Sequence, residues 1–191
     1  MKSSVTNPQD ITNTPRILRH DRGSCEATVD TLVIACGNTW RRDDGVGPEA
    51  ASQLESMLSE SEREHTRILI VHQLLPELAL ELAQANQAVL IDARIADGEP
   101  DGIVRVQEVD EAIDTDIKES QQESVENRLL HHWSFPRLLR IAKDLYGRSP
   151  RATVVSVSAS DFDFGQGLSK PVSDAVPAIC FAIRRMITND S

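Results

Sequence analysis

Short apolar runs alternate with segments of helical spacing along most of this chain. Four runs have the length and composition of strands, and they lie at 31–38, 67–71, 88–95 and 152–160. The first of them, closed by Gly-Asn, is typical of a buried strand in a parallel sheet. A fifth segment, 102–109, alternates apolar and polar residues, which is typical of a strand at the edge of a sheet. This alternation predicts an α/β fold in which a twisted, mostly parallel sheet of about five strands lies between helices on both faces.

Apolar residues recur at helical spacing in four segments, which are 48–58, 74–85, 135–145 and 172–187. Pro48 and Pro76 stand where a proline in the first helical turn is favoured. The first of these helices runs into a charged stretch, 60–65, and Gly147 is a candidate C-cap for the third.

The chain has 191 residues, of which 40% are hydrophobic, so we expect one domain with a substantial core. Residues 1–29 are polar and have no period, which predicts a disordered tail before a domain at 30–189. Within that domain, residues 110–128 are rich in acids and poor in apolar side chains, which predicts an acidic loop.

The excess of acidic residues gives a formal net charge of −10, which argues against a nucleic-acid or anionic-membrane surface. Three scattered cysteines, without metal-ligand or redox spacing, indicate a reduced intracellular protein. The N-terminus lacks the apolar segment of a secretory signal, and no apolar run approaches the roughly 18 residues that span a membrane. We therefore expect a cytoplasmic protein, and a monomer.

The loop after the first predicted strand, 37–47, contains three glycines and two adjacent acids, Asp43 and Asp44. Ligand sites of mostly parallel sheets lie beyond the carboxyl ends of the strands, which is where this loop is predicted. From spacing alone, N-capping of the next helix is the simpler explanation for either acid. A phosphate site is disfavoured, because two carboxylates would repel phosphate and the Gly-x-Gly-x-x-Gly order is absent.

Asp92 ends an otherwise apolar strand, where a buried carboxylate needs either a hydrogen-bonding partner or a metal. Both interpretations stay open.

His131 and His132 precede the third predicted helix, and an imidazole with two carboxylates suits a divalent metal such as nickel or zinc. His72 follows the second strand, where its side chain could line the same cleft.

Four stretches of the chain occur in an order that resembles the nickel–iron hydrogenase maturation proteases. They are VIACGNTWRRDDGVGPEAA, LLPELALELAQANQAVLIDARI, HHWSFPRLLRIAKDLYG and ASDFDFGQGLSKPVSDAVPAI. The first is similar to the family's hallmark of a strand, Gly-Asn, an arginine and Asp-Asp-Gly-Val-Gly before a helix. The similarity runs from about Thr31 to Ile187.

The resemblance implies a three-layer α/β/α sandwich and an endopeptidase. Such an enzyme recognises nickel in the hydrogenase large-subunit precursor and removes a C-terminal extension from it. Nickel would then be supplied by the precursor rather than permanently bound. The family's metal-engaging residues correspond to Asp44, Asp92 and His131, with His132 as the alternative histidine. Asp43 is a candidate general base beside its alternative as a helix cap.

Two other functions stay open. A nickel-binding assembly chaperone of the hydrogenase pathway would use the same metal residues without proteolysis. An unrelated α/β enzyme would use the acids for sugar or phosphate chemistry. On the endopeptidase interpretation, Arg41 steadies the loop acids or holds the substrate terminus.

Overall fold

The structure, a computed structural model, describes residues 27–110 and 134–189. Its strands are β1 (Val29–Cys36), β2 (Thr66–Val71), β3 (Ala85–Ile95), β4 (Val104–Val109) and β5 (Arg151–Ala159). Its α-helices are α1 (Val46–Met57), α2 (Glu60–His65), α3 (Leu78–Ala83), α4 (Phe135–Tyr146) and α5 (Lys170–Asn189). A short 3-10 helix, Arg42–Gly45, lies between β1 and α1.

The strands form one five-stranded sheet in the order β2-β1-β3-β5-β4. The pairs β1–β2, β1–β3 and β3–β5 are parallel, and only the edge strand β4 runs antiparallel, on β5. The prediction of a mostly parallel sheet with 102–109 at its edge is therefore confirmed, although β4 begins two residues later, at Val104.

Helices cover both faces of the sheet, because the central strands alternate their apolar side chains between two cores. In β1, Val33 and Ala35 pack in the core that α1 and α5 close. Leu32 and Ile34 point the other way, into the core that α3 and α4 close. The predicted three-layer α/β/α sandwich is confirmed.

The first two helical segments differ from their prediction. The charged stretch after α1 is a separate helix, α2, which Ser59 begins: its side chain accepts from the Glu62 N–H, and Glu62 accepts from the Ser59 N–H. The segment predicted at 74–85 is helical only over Leu78–Ala83. Its last residue, Ala85, instead begins β3 and is fully buried.

Helix α4 runs from the carboxyl edge of the sheet to the amino edge. It begins after Ser134, whose side chain accepts from the Arg137 N–H, and ends at Gly147, a left-handed C-cap as predicted. Arg148, directly after this cap, donates to the Ala85 carbonyl at the start of β3. Because the last turn lies at the amino edge, the twelve-residue helix starts near the edge where the parallel strands end.

Residues 1–26, 111–133 and 190–191 lie outside the described residues. Almost all of the predicted tail and acidic loop falls there, and so do His131 and His132, so these predictions stay predictions. Within the described ranges, no helix is both long and apolar enough to cross a membrane.

Candidate metal and substrate site

A cavity of about 480 Å³ opens at the carboxyl edge of the sheet, beside the ends of β1, β2 and β3. Its walls are the segments 36–38, 72–75 and 92–93, together with Arg41 and Asp44. The cavity lies where ligand sites of parallel sheets form. It brings together two of the predicted metal-engaging residues, Asp44 and Asp92, with His72 in the same wall.

Asp44 is held in this cavity by the Gly-Asn pair that follows β1. The Asn38 N–H donates to Asp44 Oδ2 at 2.8 Å. Gly37 has a φ of 143°, a backbone conformation that favours glycine, and a Cβ at this position would overlap the Asp44 carbonyl oxygen. The turn therefore brings the Asp44 backbone close to the end of β1 and fixes one carboxylate oxygen.

Asp92 lies on the face of β3 that α3 and α4 cover, and its carboxyl group is partly buried. Burial, and then the neighbouring Asp44 carboxylate, raise the pKa of Asp92 from 3.8 to about 7, against a hydrogen bond from the Ala93 N–H. The same carboxylates act on the buried Cys36: burial, then Asp92, then Asp44, raise its thiol pKa to about 12. The Cys36 thiol therefore stays protonated at neutral pH.

The donor set of the cavity suits a divalent cation. Two carboxylates that repel each other are both stabilised when a cation lies between them, and oxygen with imidazole is a common ligand set for such metals. Within residues 27–110 and 134–189, no three His, Cys, Asp or Glu side chains are grouped closely enough to hold a metal ion. The described part of the site thus supplies two carboxylates, Asp44 and Asp92, and a metal ion held there would need at least one further ligand.

Asp43 points away from this cavity, although it directly precedes Asp44. It is fully buried, and its Oδ1 accepts from the Ser169 N–H at 2.6 Å. Ser169 immediately precedes α5, so this carboxylate satisfies a backbone donor at the start of α5. Its burial outside the cavity counts against its predicted role as general base.

The prediction that either acid caps the following helix is wrong. Helix α1 begins after Gly45, and no side chain forms a cap hydrogen bond there. The physical reason is that both carboxylates have other partners: Asp44 accepts from the Asn38 N–H, and Asp43 accepts from the Ser169 N–H.

A second loop, 160–169 between β5 and α5, holds the first loop in place. The Arg41 guanidinium donates from Nε and Nη2 to the Phe162 carbonyl, each at 3.2 Å. The Asp43 N–H donates to the Asp161 carbonyl at 3.1 Å, and the Arg42 side chain forms an ion pair with Asp161. The two loops therefore form one unit. The Arg41 guanidinium holds the first loop through the Phe162 carbonyl and does not bind the loop acids, which one of its predicted roles required; its other predicted role, holding the substrate terminus, stays a prediction.

Three cavity residues have positions that the sequence pattern does not indicate. The spacing predicts Leu74 and Leu75 in a helix, but they precede α3 and line the cavity. Cys36 is buried at the end of β1, and it also lines the cavity beside the acids. Its position as the last residue of β1 was the available signal, because strand ends border the site in this type of sheet.

A second cavity of about 480 Å³ lies at the opposite edge, where β4 ends and β5 begins. It includes Glu108 and Asp110 with Arg151. Amino edges of parallel strands are not where α/β sheets bind their ligands, so the cavity at the carboxyl edge is the candidate site.

Fold and site together define the chain as an α/β/α sandwich with a paired-carboxylate cavity at the carboxyl edge of its sheet. Neither family models nor the sequences of curated proteins give a match to this chain. Solved structures do match this chain. The hydrogenase maturating endopeptidase HybD from E. coli superposes with a TM-score of 0.62 at 18% identity, over 85% of this chain and 94% of that one.

Two archaeal structures are similar. The [NiFe] hydrogenase maturation protease HybD from Thermococcus kodakarensis has a TM-score of 0.58 at 20% identity, over 83% of this chain and 99% of that one. The hydrogenase 2 maturation peptidase from a Thaumarchaeota archaeon has a TM-score of 0.58 at 23% identity, over 83% and 98%. This chain therefore has the fold of these endopeptidases over nearly their whole length.

Proposed function

We propose that this chain is a hydrogenase maturation endopeptidase. It recognises nickel in the large-subunit precursor of a nickel–iron hydrogenase and removes the precursor's C-terminal extension, acting as a cytoplasmic monomer. The observation that carries this proposal is the pair of carboxylates, Asp44 and Asp92, in one cavity at the carboxyl edge of the sheet. The fold of the solved endopeptidases supports it.

The third metal-engaging residue in this proposal is His131, with His132 as the alternative. Both histidines precede Ser134, where α4 begins near the carboxyl edge. The start of α4 near the carboxyl edge supports a third ligand from the segment that directly precedes Ser134 in the sequence.

Nickel belongs to the substrate in this proposal. Two carboxylates and one imidazole leave coordination positions for ligands that the precursor itself provides, so the metal can dock the precursor in the cavity. The Asp44 and Asp92 carboxylates would then face a cation instead of only each other, which offsets both causes of the raised pKa of Asp92: its burial and, second, its repulsion by Asp44.

Cleavage is the hydrolysis of one peptide bond beside the metal. The oxygen of a water molecule bonds to the carbonyl carbon, the carbon–nitrogen bond breaks, and the leaving amine takes a proton. The contribution of this chain is to position the peptide and to orient the water through a cavity carboxylate. We assign Asp43 to the loop contact with Ser169 rather than to proton transfer.

The test is to incubate the protein with nickel-loaded precursor and with nickel-free precursor, and to follow shortening by mass spectrometry. We expect shortening only of the nickel-loaded form. Asp44→Ala, Asp92→Ala and His131→Ala should each reduce the rate more than about 100-fold, because each removes one of three metal ligands. His132→Ala is the matched control and should keep most activity.

Thermal melts of each variant separate loss of chemistry from loss of folding, because Asp92 is partly buried. Activity lost in His132→Ala but kept in His131→Ala would move the ligand by one residue. Nickel-dependent binding without shortening would instead support the assembly chaperone. Tight binding of a sugar or phosphate compound without any precursor would support the unrelated enzyme.

A further inference from the structure

Two aromatic side chains project from the two joined loops beside the cavity. Trp40 is 54% exposed and Phe164 is 84% exposed. Aromatic residues make up only 4% of this chain, so two exposed rings on adjacent loops are an uncommon use of them. Exposed aromatic rings of this kind are typical of surfaces that bind another protein.

The backbone brings Trp40 and Phe164 together. Arg41 and Gly165 form a parallel bridge, in which the Gly165 N–H donates to the Trp40 carbonyl at 2.9 Å. The Arg42 N–H donates to the Gly165 carbonyl at 3.0 Å. Because Trp40 and Phe164 each directly precede a bridge residue, they are neighbours across the two loops, and we refer to them as the aromatic pair.

Within the aromatic pair, Trp40 lies in the chain between two residues of the cavity wall, Asn38 and Arg41. The Trp40 N–H donates to Asn38 Oδ1 at 3.0 Å, and Asn38 lines the cavity. Arg41, which follows Trp40, also lines the cavity and forms no ion pair with another described residue. Its guanidinium uses two donor nitrogens on the Phe162 carbonyl, so further N–H groups remain for an oxygen acceptor on a bound chain.

We propose that the aromatic pair is the docking site for an apolar side chain of the precursor, on the extended segment that enters the cavity. This inference rests on the proposed function. The Arg41 guanidinium binds an oxygen acceptor of the same segment, and the two aromatic rings pack against the apolar side chain next to that acceptor. The fixed loop backbone holds both groups in place before binding, which lowers the cost of ordering them.

The experiment measures cleavage of nickel-loaded precursor over a range of precursor concentrations. Trp40→Ala and Phe164→Ala should each raise KM about tenfold and change kcat less than twofold, because the pair binds the chain at a distance from the cut bond. Trp40→Phe and Phe164→Tyr keep an aromatic ring and should restore KM to near the wild-type value.

Phe181→Ala is the matched control. Phe181 is 62% exposed on α5, where it lines a different cavity with Val106 and Met186, so its loss should leave KM unchanged. Unchanged KM in both pair variants, an equal rise in Phe181→Ala, or a fall in kcat alone would each refute the docking site.

Sedimentation velocity tests the other occupant, a second copy of this chain. A wild-type dimer that Trp40→Ala and Phe164→Ala convert to monomer would refute the precursor as occupant.

If the wild type does not shorten the precursor at all, the proposed function fails before any variant is compared. If the wild type cleaves and the pair variants have normal KM, only the docking site fails.

Discussion

Replacing Asp92 by asparagine tests the electrostatic cost of holding two carboxylates in one cavity. Asp92 has a pKa of about 7 in the folded protein, whereas its usual value is 3.8. Between these two values the folded state keeps a proton that the unfolded state has lost, so the free energy of unfolding falls as pH rises through this window. Asparagine has the same shape and no charge, so it removes this dependence.

The magnitude follows from the pKa values. Raising the pKa from 3.8 to about 7 corresponds, at about 1.4 kcal/mol per pKa unit, to about 4 kcal/mol at pH 8. Water reaches the carboxylate through the cavity and screens it, so we expect about half, or about 2 kcal/mol. Asp92→Asn should therefore be more stable than the wild type by about 2 kcal/mol at pH 8.

The assay is urea unfolding of the wild type and Asp92→Asn at pH 8, 7 and 6. The free energies of unfolding are compared with the same dependence on urea concentration for both proteins. The stability gain should shrink as pH falls and approach zero near the usual pKa of 3.8. Asp97→Asn, at an exposed carboxylate nearby, is the control and should change stability by less than about 0.5 kcal/mol. A destabilised Asp92→Asn at pH 8, or a gain that does not vary with pH, would refute the reasoning.

Three further changes test the contacts around the site. Asp43→Ala should lower the free energy of unfolding by about 2 kcal/mol, because it leaves the Ser169 N–H without its acceptor. Asp43→Asn keeps an acceptor and should keep most of the cleavage rate. If Asp43 were the general base, both variants would lose activity. Gly37→Ala should lower the free energy of unfolding, measured by chemical denaturation, by more than about 3 kcal/mol, because its Cβ overlaps the Asp44 carbonyl. Gly98→Ala is the control: it has open space around it and should lower the free energy of unfolding by only about 1 kcal/mol. Added EDTA should leave the thermal midpoint unchanged, because the two apolar cores close without a metal; a lowered midpoint would indicate a structural metal.

The central strands β1 and β3 were predictable because each contains a run of residues that is buried on both faces of the sheet. Continuous apolar runs such as Leu32–Ala35, all fully buried in β1, are typical of central parallel strands. The alternating run in β4 marked an edge strand for the opposite reason, since β4 is largely exposed. Both patterns extend over only a few consecutive residues, so they are visible in the sequence alone.

The segment before α3 shows where such reasoning stops. Leu74 and Leu75 have the spacing of a helix with Leu78, and a proline at 76 fits a first turn. In the structure both line the cavity before the helix begins, and Leu74 also packs against the core that α3 and α4 close. An apolar side chain gives the same pattern whether it packs in a core or lines a site, so the periodicity could not separate the two.

Asp43 and Asp44 show the same limit at the candidate site. They are adjacent, but successive side chains of a 3-10 helix point about 120° apart, so one enters the cavity and the other the interior. The partner of Asp43 is Ser169, 126 positions further along the chain. No local pattern could indicate that contact.

The position of Asp44 therefore depends on a loop at the far end of the chain. Arg42 has a φ of 44°, which is uncommon for a residue with a side chain and costs about 1 kcal/mol or more. This conformation is held by contacts with Gly165 and Asp161, on the loop that joins β5 to α5. Because the same loop also carries Phe164, any change that separates the two loops should both move the Asp44 carboxylate and separate Trp40 from Phe164. On the proposed function, binding of the precursor and engagement of its nickel would in this way be coupled through one set of loop contacts.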